Sequence, residues 1–109
     1  MRTKTLWMKD MYLEQILAGQ KTIEVRVAYS NIVRLEVGDR LLLNDVHPYM
    51  IRRVARYRSF EALLADEEAE AIAPGVPADA LLVRMRELYS AEKESLGIIA
   101  LEIEAENDG

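Results

Sequence analysis

At Gly19 the apolar period of the chain changes from that of a helix to that of a strand, with no linker between them. Upstream, Asp10 stands where an N-cap belongs, and Leu13, Ile16 and Leu17 give residues 11–18 one apolar face. Gly19 follows where a helix C-terminus favours a left-handed residue. Downstream, residues 21–27 alternate: Ile23, Val25 and Val27 on one side, Thr22, Glu24 and Arg26 on the other. A core on the aliphatic side leaves three polar groups in a row, about 7 Å apart. Lys21 stands at the mouth of that strand.

The rest of the chain supplies more strands and helices. Trp7-Met8 closes a short strand. Val37-Gly38-Asp39 reads as a turn, followed by a buried strand at Arg40–Leu43. Residues 51–58 read as a strand, and Ser59 as the cap of a helix through Phe60, Leu63 and Leu64. A second helix spans 80–89, a one-turn helical link spans 90–95, and an apolar strand spans 98–103. Pro74-Gly75-Val76-Pro77 joins two helical stretches within one unit. No repeat or low-complexity tract interrupts the chain. Short strands with helices inserted between them predict one α+β domain over residues 1–109. Curling so small a sheet into a partial barrel hides its edges.

Composition narrows the chemistry. The 109 residues contain no cysteine, so disulfides and thiolate metal sites are excluded. His47, before Pro48, is the one histidine and reads as a loop residue, so no metal and no cofactor is expected. No apolar run reaches membrane-spanning length, and the first ten residues hold no long apolar stretch. The expectation is a cytoplasmic protein with no membrane partner; the sequence leaves the oligomeric state open. The net charge of −5 is uneven: residues 1–58 carry 11 basic and 6 acidic side chains, residues 59–109 carry 3 and 13. That argues against a wholly electrostatic nucleic-acid binder and leaves room for a local basic face. Arg52, Arg53, Arg56 and Arg58 fit either a phosphate-binding stripe or a strand edge blunted by charge.

Lys21, Thr22, Glu24 and Arg26 form the candidate site. A carboxylate between two cations favours its charged form, so Glu24 suits accepting hydrogen bonds, such as from an exocyclic amine, better than donating a proton. Arg26 offers a planar fork for phosphate or carboxylate. Lys21 serves as a cationic anchor, or as a base if burial lowers its pKa. The plainer alternative is an exposed strand with ordinary charge pairs. Tyr57 and Tyr89 either stack a base or fill the core with a wet hydroxyl, and Trp7 reads as core.

Residues 16–26, Ile-Leu-Ala-Gly-Gln-Lys-Thr-Ile-Glu-Val-Arg, followed by Val37-Gly38-Asp39, resemble the ASCH (activating signal cointegrator homology) family. Residues 57–64, Leu88-Tyr89-Ser90 and 97–101 resemble its second half, so the likeness spans nearly the whole chain. The resemblance implies a PUA-like pseudo-barrel with a cleft lined by Lys21, Glu24 and Arg26, beside Thr22, that meets RNA or a nucleotide. Tyr57 and Arg58 are further expected ligand contacts. A subset of small bacterial members hydrolyses the amide of N4-acetylcytidine with a Lys, a Thr and a Glu, without metal. Lys21 matches that Lys, but Glu24 occupies the Thr position, and the Glu falls near Glu67, Glu68 or Glu70. Binding of RNA or a nucleotide is therefore the leading expectation. Hydrolysis of a modified nucleoside by Lys21 and Glu24 is the alternative, and an interaction module using the acidic half is a third reading.

Overall fold

Four consecutive buried residues, Ile98 to Leu101, identify the strand on which the fold is built. The computed structural model describes residues 1–106. In chain order the elements are β1 (Thr3–Leu6), α1 (Asp10–Leu17), β2 (Ile23–Val27), β3 (Arg40–Leu43), β4 (His47–Tyr57), α2 (Phe60–Asp66), α3 (Ala69–Ile72), α4 (Ala78–Leu88), α5 (Ala91–Glu94) and β5 (Ile98–Ala105). The strands form one sheet in the order β1-β3-β4-β5-β2, so β5 is interior and β2 is an edge. β1 and β3 run parallel; every other pair is antiparallel.

β5 buries side chains on both of its faces, so its apolar run is continuous rather than alternating. Ile99, Leu101 and Ile103 join Leu6, Ile16, Leu41, Leu43 and Ile51 in one core. Ile98 and Ala100 join Ile23, Val27, Phe60, Leu63 and Leu81 in the other, beneath α2 and α4. A fully buried side chain of the Leu or Ile size contributes roughly 1.5–3 kcal/mol, which makes this double-faced strand the main source of cohesion. The sheet curls into the half-barrel expected of an α+β domain of this size.

Sequence expectations meet the elements with small shifts. Asp10 is the first helical residue of α1 rather than its cap, and Lys9 occupies the cap position without a side-chain bond. Ser59 does cap α2, its hydroxyl accepting from Ala62 N at 3.0 Å. β4 starts at His47, not Ile51, because Asn44 and Asp45 take positive φ (51° and 65°) and turn the chain early. His47 is thus a strand residue. A register shift between Ile51 and Arg53 changes side-chain parity within β4, so the arginines on either side of it do not form one regular stripe.

Candidate functional site

The glycine corner buries a lysine. Gly19 adopts φ 77°, and the Gln15 carbonyl accepts from both Gln20 N and Lys21 N, closing α1 tightly onto the strand. Lys21 is left only 4% exposed. Its Nζ donates to Ile23 O at 2.6 Å, to Ile72 O at 2.8 Å and to Glu24 Oε1 at 3.1 Å. An ammonium has three protons, and these three acceptors use all of them. Burial pushes the Lys21 ammonium below the usual lysine range, while the Glu24 carboxylate pulls the other way.

Glu24 joins the lysine to Arg26. Its Oε2 accepts from Arg26 Nε at 2.6 Å, and Arg26 Nη2 donates to Trp7 O at 3.1 Å. Two cations on one carboxylate leave the trio with a net single positive charge. A carboxylate has about four acceptor sites, so Glu24 keeps capacity beyond its two partners.

The free edge of β2 adds backbone groups. Thr22 O accepts from Ile103 N, and Ala28 N donates to Gly97 O. With the register Glu24↔Leu101 and Arg26↔Ile99, the even-numbered residues of β2 bond to β5 and the odd-numbered ones face outward. The outward Ile23 carbonyl takes Lys21, and the outward Val27 carbonyl takes Tyr29 N. Val25 therefore presents its N–H and C=O outward, with no partner among the described residues.

A cavity of about 170 Å³ wraps this edge. Glu24, Val25 and Lys21 form its polar floor. Leu81, Met85 and Leu88 of α4, with Phe60, Ile72 and Tyr89, form an apolar wall. Tyr12 stands on the α1 side, its ring centroid 6.0 Å from Lys21 Nζ. Arg84, exposed and without an ion-pair partner among the described residues, sits on the rim. Glu24 is the one carboxylate among the lining residues.

A second hollow, about 300 Å³, adjoins the first across Tyr89, which lines both. It is lined by Lys4, Trp7, Arg26, Tyr29 and Asn31, together with Thr5, Leu6, Val27 and Ile32. Trp7 is 63% exposed here, so the expectation that it fills the core is corrected: β1 ends at Leu6, whose side chain takes the core position instead.

The structure thus brings Lys21, Glu24 and Tyr89 together at one cavity and places Arg26 at the boundary with its neighbour. Thr22 lies outside both: it is exposed, and its backbone is tied to Ala71 and Ile103. Tyr57 is packed against the second core with its hydroxyl bonded to Asp66 and Glu67, and burial pushes its phenol up. Arg58 is exposed and lines neither hollow. Two of the four arginines are spent on ion pairs, Arg52 with Glu104 and Arg53 with Glu67 and Glu102, and Arg56 donates to Leu96 O at 3.4 Å. Glu67 is committed to Arg53 and Tyr57, Glu70 accepts from Gly75 N, and Glu68 is exposed. The α4 wall and the Val25 edge were not anticipated; an apolar helix face carries no signal that separates cavity wall from core.

Comparison with known proteins follows the same lines. The ASCH domain family model matches residues 6–106. The crystal structure of hypothetical protein PH0355 is similar at TM-score 0.89 and 28% identity, covering 97% of this chain and 100% of that one. The solution NMR structure of protein PF0455 from Pyrococcus furiosus is similar at TM-score 0.79 and 27% identity, covering 96% and 97%. The ASCH domain from Lactobacillus crispatus JV V101 shares the fold at TM-score 0.60 and 14% identity, covering 95% and 79%. No curated protein matches the chain. Among the described residues, no helix is long and apolar enough to cross a membrane.

Proposed function

The chain belongs to the ASCH domain family, and from that membership we propose that it binds RNA or a nucleotide by taking one nucleobase into the cavity over Glu24 and Val25. One observation carries this reading. A small apolar cavity encloses a carboxylate with spare acceptor capacity beside an unpaired strand-edge N–H and C=O. The apolar walls from α4 and Tyr89 suit the faces of a flat ring. The floor suits its polar edge.

The floor offers more acceptors than donors, which favours a base carrying an exocyclic amine. Glu24 or the Val25 carbonyl accepts from the amine, and the Val25 N–H donates to the adjacent ring nitrogen. Cytosine and adenine present that pattern; uracil presents an imide N–H between two carbonyls. Arg84 on the rim is placed for a phosphate. Lys21 holds Glu24 in place and carries no proton that is free to give.

Hydrolysis of a modified nucleoside has less to build on. Thr22 is outside the cavity, and Lys21 is saturated by three acceptors. Release of cytidine from N4-acetylcytidine by the protein, lost in Lys21→Ala, would replace the binding reading with an enzymatic one.

Calorimetric titration with the 5′-monophosphates of cytidine, adenosine and uridine tests the proposal. The amine-bearing bases are expected to bind more tightly than uridine. Glu24→Gln keeps the shape, removes the charge and aims donors at the amine. That variant is expected to lose at least about tenfold in affinity for the preferred base, the scale of one charged hydrogen bond. Equal binding of all three nucleotides, or no change in a folded Glu24→Gln protein, would sink it.

A further inference from the structure

We infer that the hollow beside Trp7 is a second nucleotide subsite, so that the ligand is a single strand of at least two nucleotides rather than a free nucleoside. The inference rests on the cavity reading above and gives that ligand its chemical class. Trp7 is the chain's one tryptophan and is 63% exposed. An exposed indole is an unusual placement for the largest apolar side chain, and it lines a hollow that also holds Tyr29, itself 39% exposed. Two accessible aromatic faces give a base a stacking platform, which is the sequence-tolerant way proteins hold unpaired nucleotides.

The charges beside the aromatics have the right sign. Lys4 lines the hollow and has no ion-pair partner among the described residues. Arg26 gives Nε to Glu24 and Nη2 to Trp7 O, which leaves Nη1 for a ligand. No carboxylate lines this hollow; among the described residues, the carboxylate bonded to a lining side chain, other than Glu24 on Arg26, is Asp45, which accepts from the Thr5 hydroxyl at 3.2 Å. Two cations and no lining acid suit a phosphodiester.

The two hollows are arranged as consecutive sites. They share Tyr89, and the Glu24–Arg26 pair spans them, Glu24 lining one and Arg26 the other. Side chains two apart on a strand stand about 7 Å apart, comparable to one step along an extended single strand. A base over Glu24 thus puts its phosphate near Arg26 and Lys4, and the next base at Trp7. A duplex would supply this geometry only by flipping the first base out of its stack, at the cost of unstacking and unpairing it, so an unpaired strand is favoured.

Calorimetry and indole fluorescence test the inference together, since Trp7 alone supplies the indole signal. The probes are cytidine and adenosine 5′-monophosphates and the RNA dinucleotides CpU, UpC, ApU and UpA. At least one dinucleotide is expected to bind roughly tenfold more tightly than its mononucleotide, the scale of one stacked base, and to quench Trp7. Trp7→Ala should erase that gain and leave mononucleotide affinity unchanged, while Trp7→Phe should retain most of it. Lys4→Ala should reduce the gain and its sensitivity to salt. Mononucleotides and dinucleotides binding equally, with Trp7 emission unchanged, would overturn the second subsite and leave the base-binding cavity standing. A dinucleotide gain that survives Trp7→Ala would also overturn it. Absence of binding by every probe would overturn both readings.

Discussion

Lys21 shows how a charged residue can be structural and site-defining at once. Its ammonium is held by the carbonyls of Ile23 and Ile72 and by Glu24, at 2.6, 2.8 and 3.1 Å. Ile72 is the last residue of α3, fifty-one positions away, so this one side chain ties α3 to the edge of β2. Lys21→Met keeps the aliphatic stem but leaves two buried carbonyls without their donor and Glu24 with Arg26 as its remaining cation. Each unsatisfied buried carbonyl costs about 1–3 kcal/mol, so the loss should be about 2–5 kcal/mol. Urea denaturation should show that loss, whereas Thr22→Ala, on the exposed side, should stay within about 0.5 kcal/mol of the parent. A mild Lys21→Met variant would mean that the cation is not the tie between α3 and β2. The sequence made Lys21 and Glu24 legible as partners because they sit three residues apart at a glycine corner. It could not show that Ile72 completes the cage, since a backbone carbonyl contributes no pattern to the sequence.

Among the elements, those with two agreeing signals were the legible ones. β2 alternates and follows a left-handed glycine, and α2 begins at a serine followed by apolar residues at helical spacing. In α2 the first N–H groups are covered from two directions: Ser59 Oγ accepts from Ala62 N, and Glu94 Oε2 accepts from Phe60 N at 2.8 Å. Ser59→Ala should therefore cost about 1 kcal/mol, the usual worth of a cap, and Ser59→Asp should restore most of it. Thermal melts of the two variants check this, and an unchanged melting temperature in Ser59→Ala would show that the Glu94 contact alone suffices. The elements that escaped the sequence lacked the second signal. β4 hides a register shift at Ile51/Arg53 that changes side-chain parity, so the arginines there do not line one face: Arg52 and Arg53 form ion pairs, Arg56 donates to Leu96 O, and Arg58 is exposed. The face of α4 that walls the cavity has the same Leu and Met spacing as a core face, because it serves as both.

On the scale of the whole molecule, the chain closes its half-barrel with carboxylates whose charged form the fold favours, and acid should unfasten it from two places. Asp39, buried behind the Gly38 turn, accepts from Arg2 N at 3.0 Å and Glu36 N at 2.9 Å, and these backbone donors hold its carboxyl below the usual range. It thereby fastens the start of β1 to the turn before β3. Glu67 is gripped by both terminal nitrogens of Arg53, at 2.8 and 2.6 Å, and that guanidinium lowers its carboxyl despite burial. It fastens the end of α2 to β4. A carboxyl whose folded pKa lies below its unfolded one contributes its full stabilisation above the unfolded value, about 4, and loses it as pH falls through the folded value. Stability should therefore be level from pH 7 to about 5 and decline below about 4. Asp39→Asn keeps one acceptor but turns an N–H toward the second backbone donor, and it no longer titrates. Its deficit against the parent should be largest at pH 7 and shrink towards pH 2, with Glu67→Gln following the same course. Urea midpoints at pH 7, 5 and 3 read this directly. A deficit that stayed constant with pH would assign the contribution of Asp39 to shape alone, and would move the acid sensitivity of the fold to other groups.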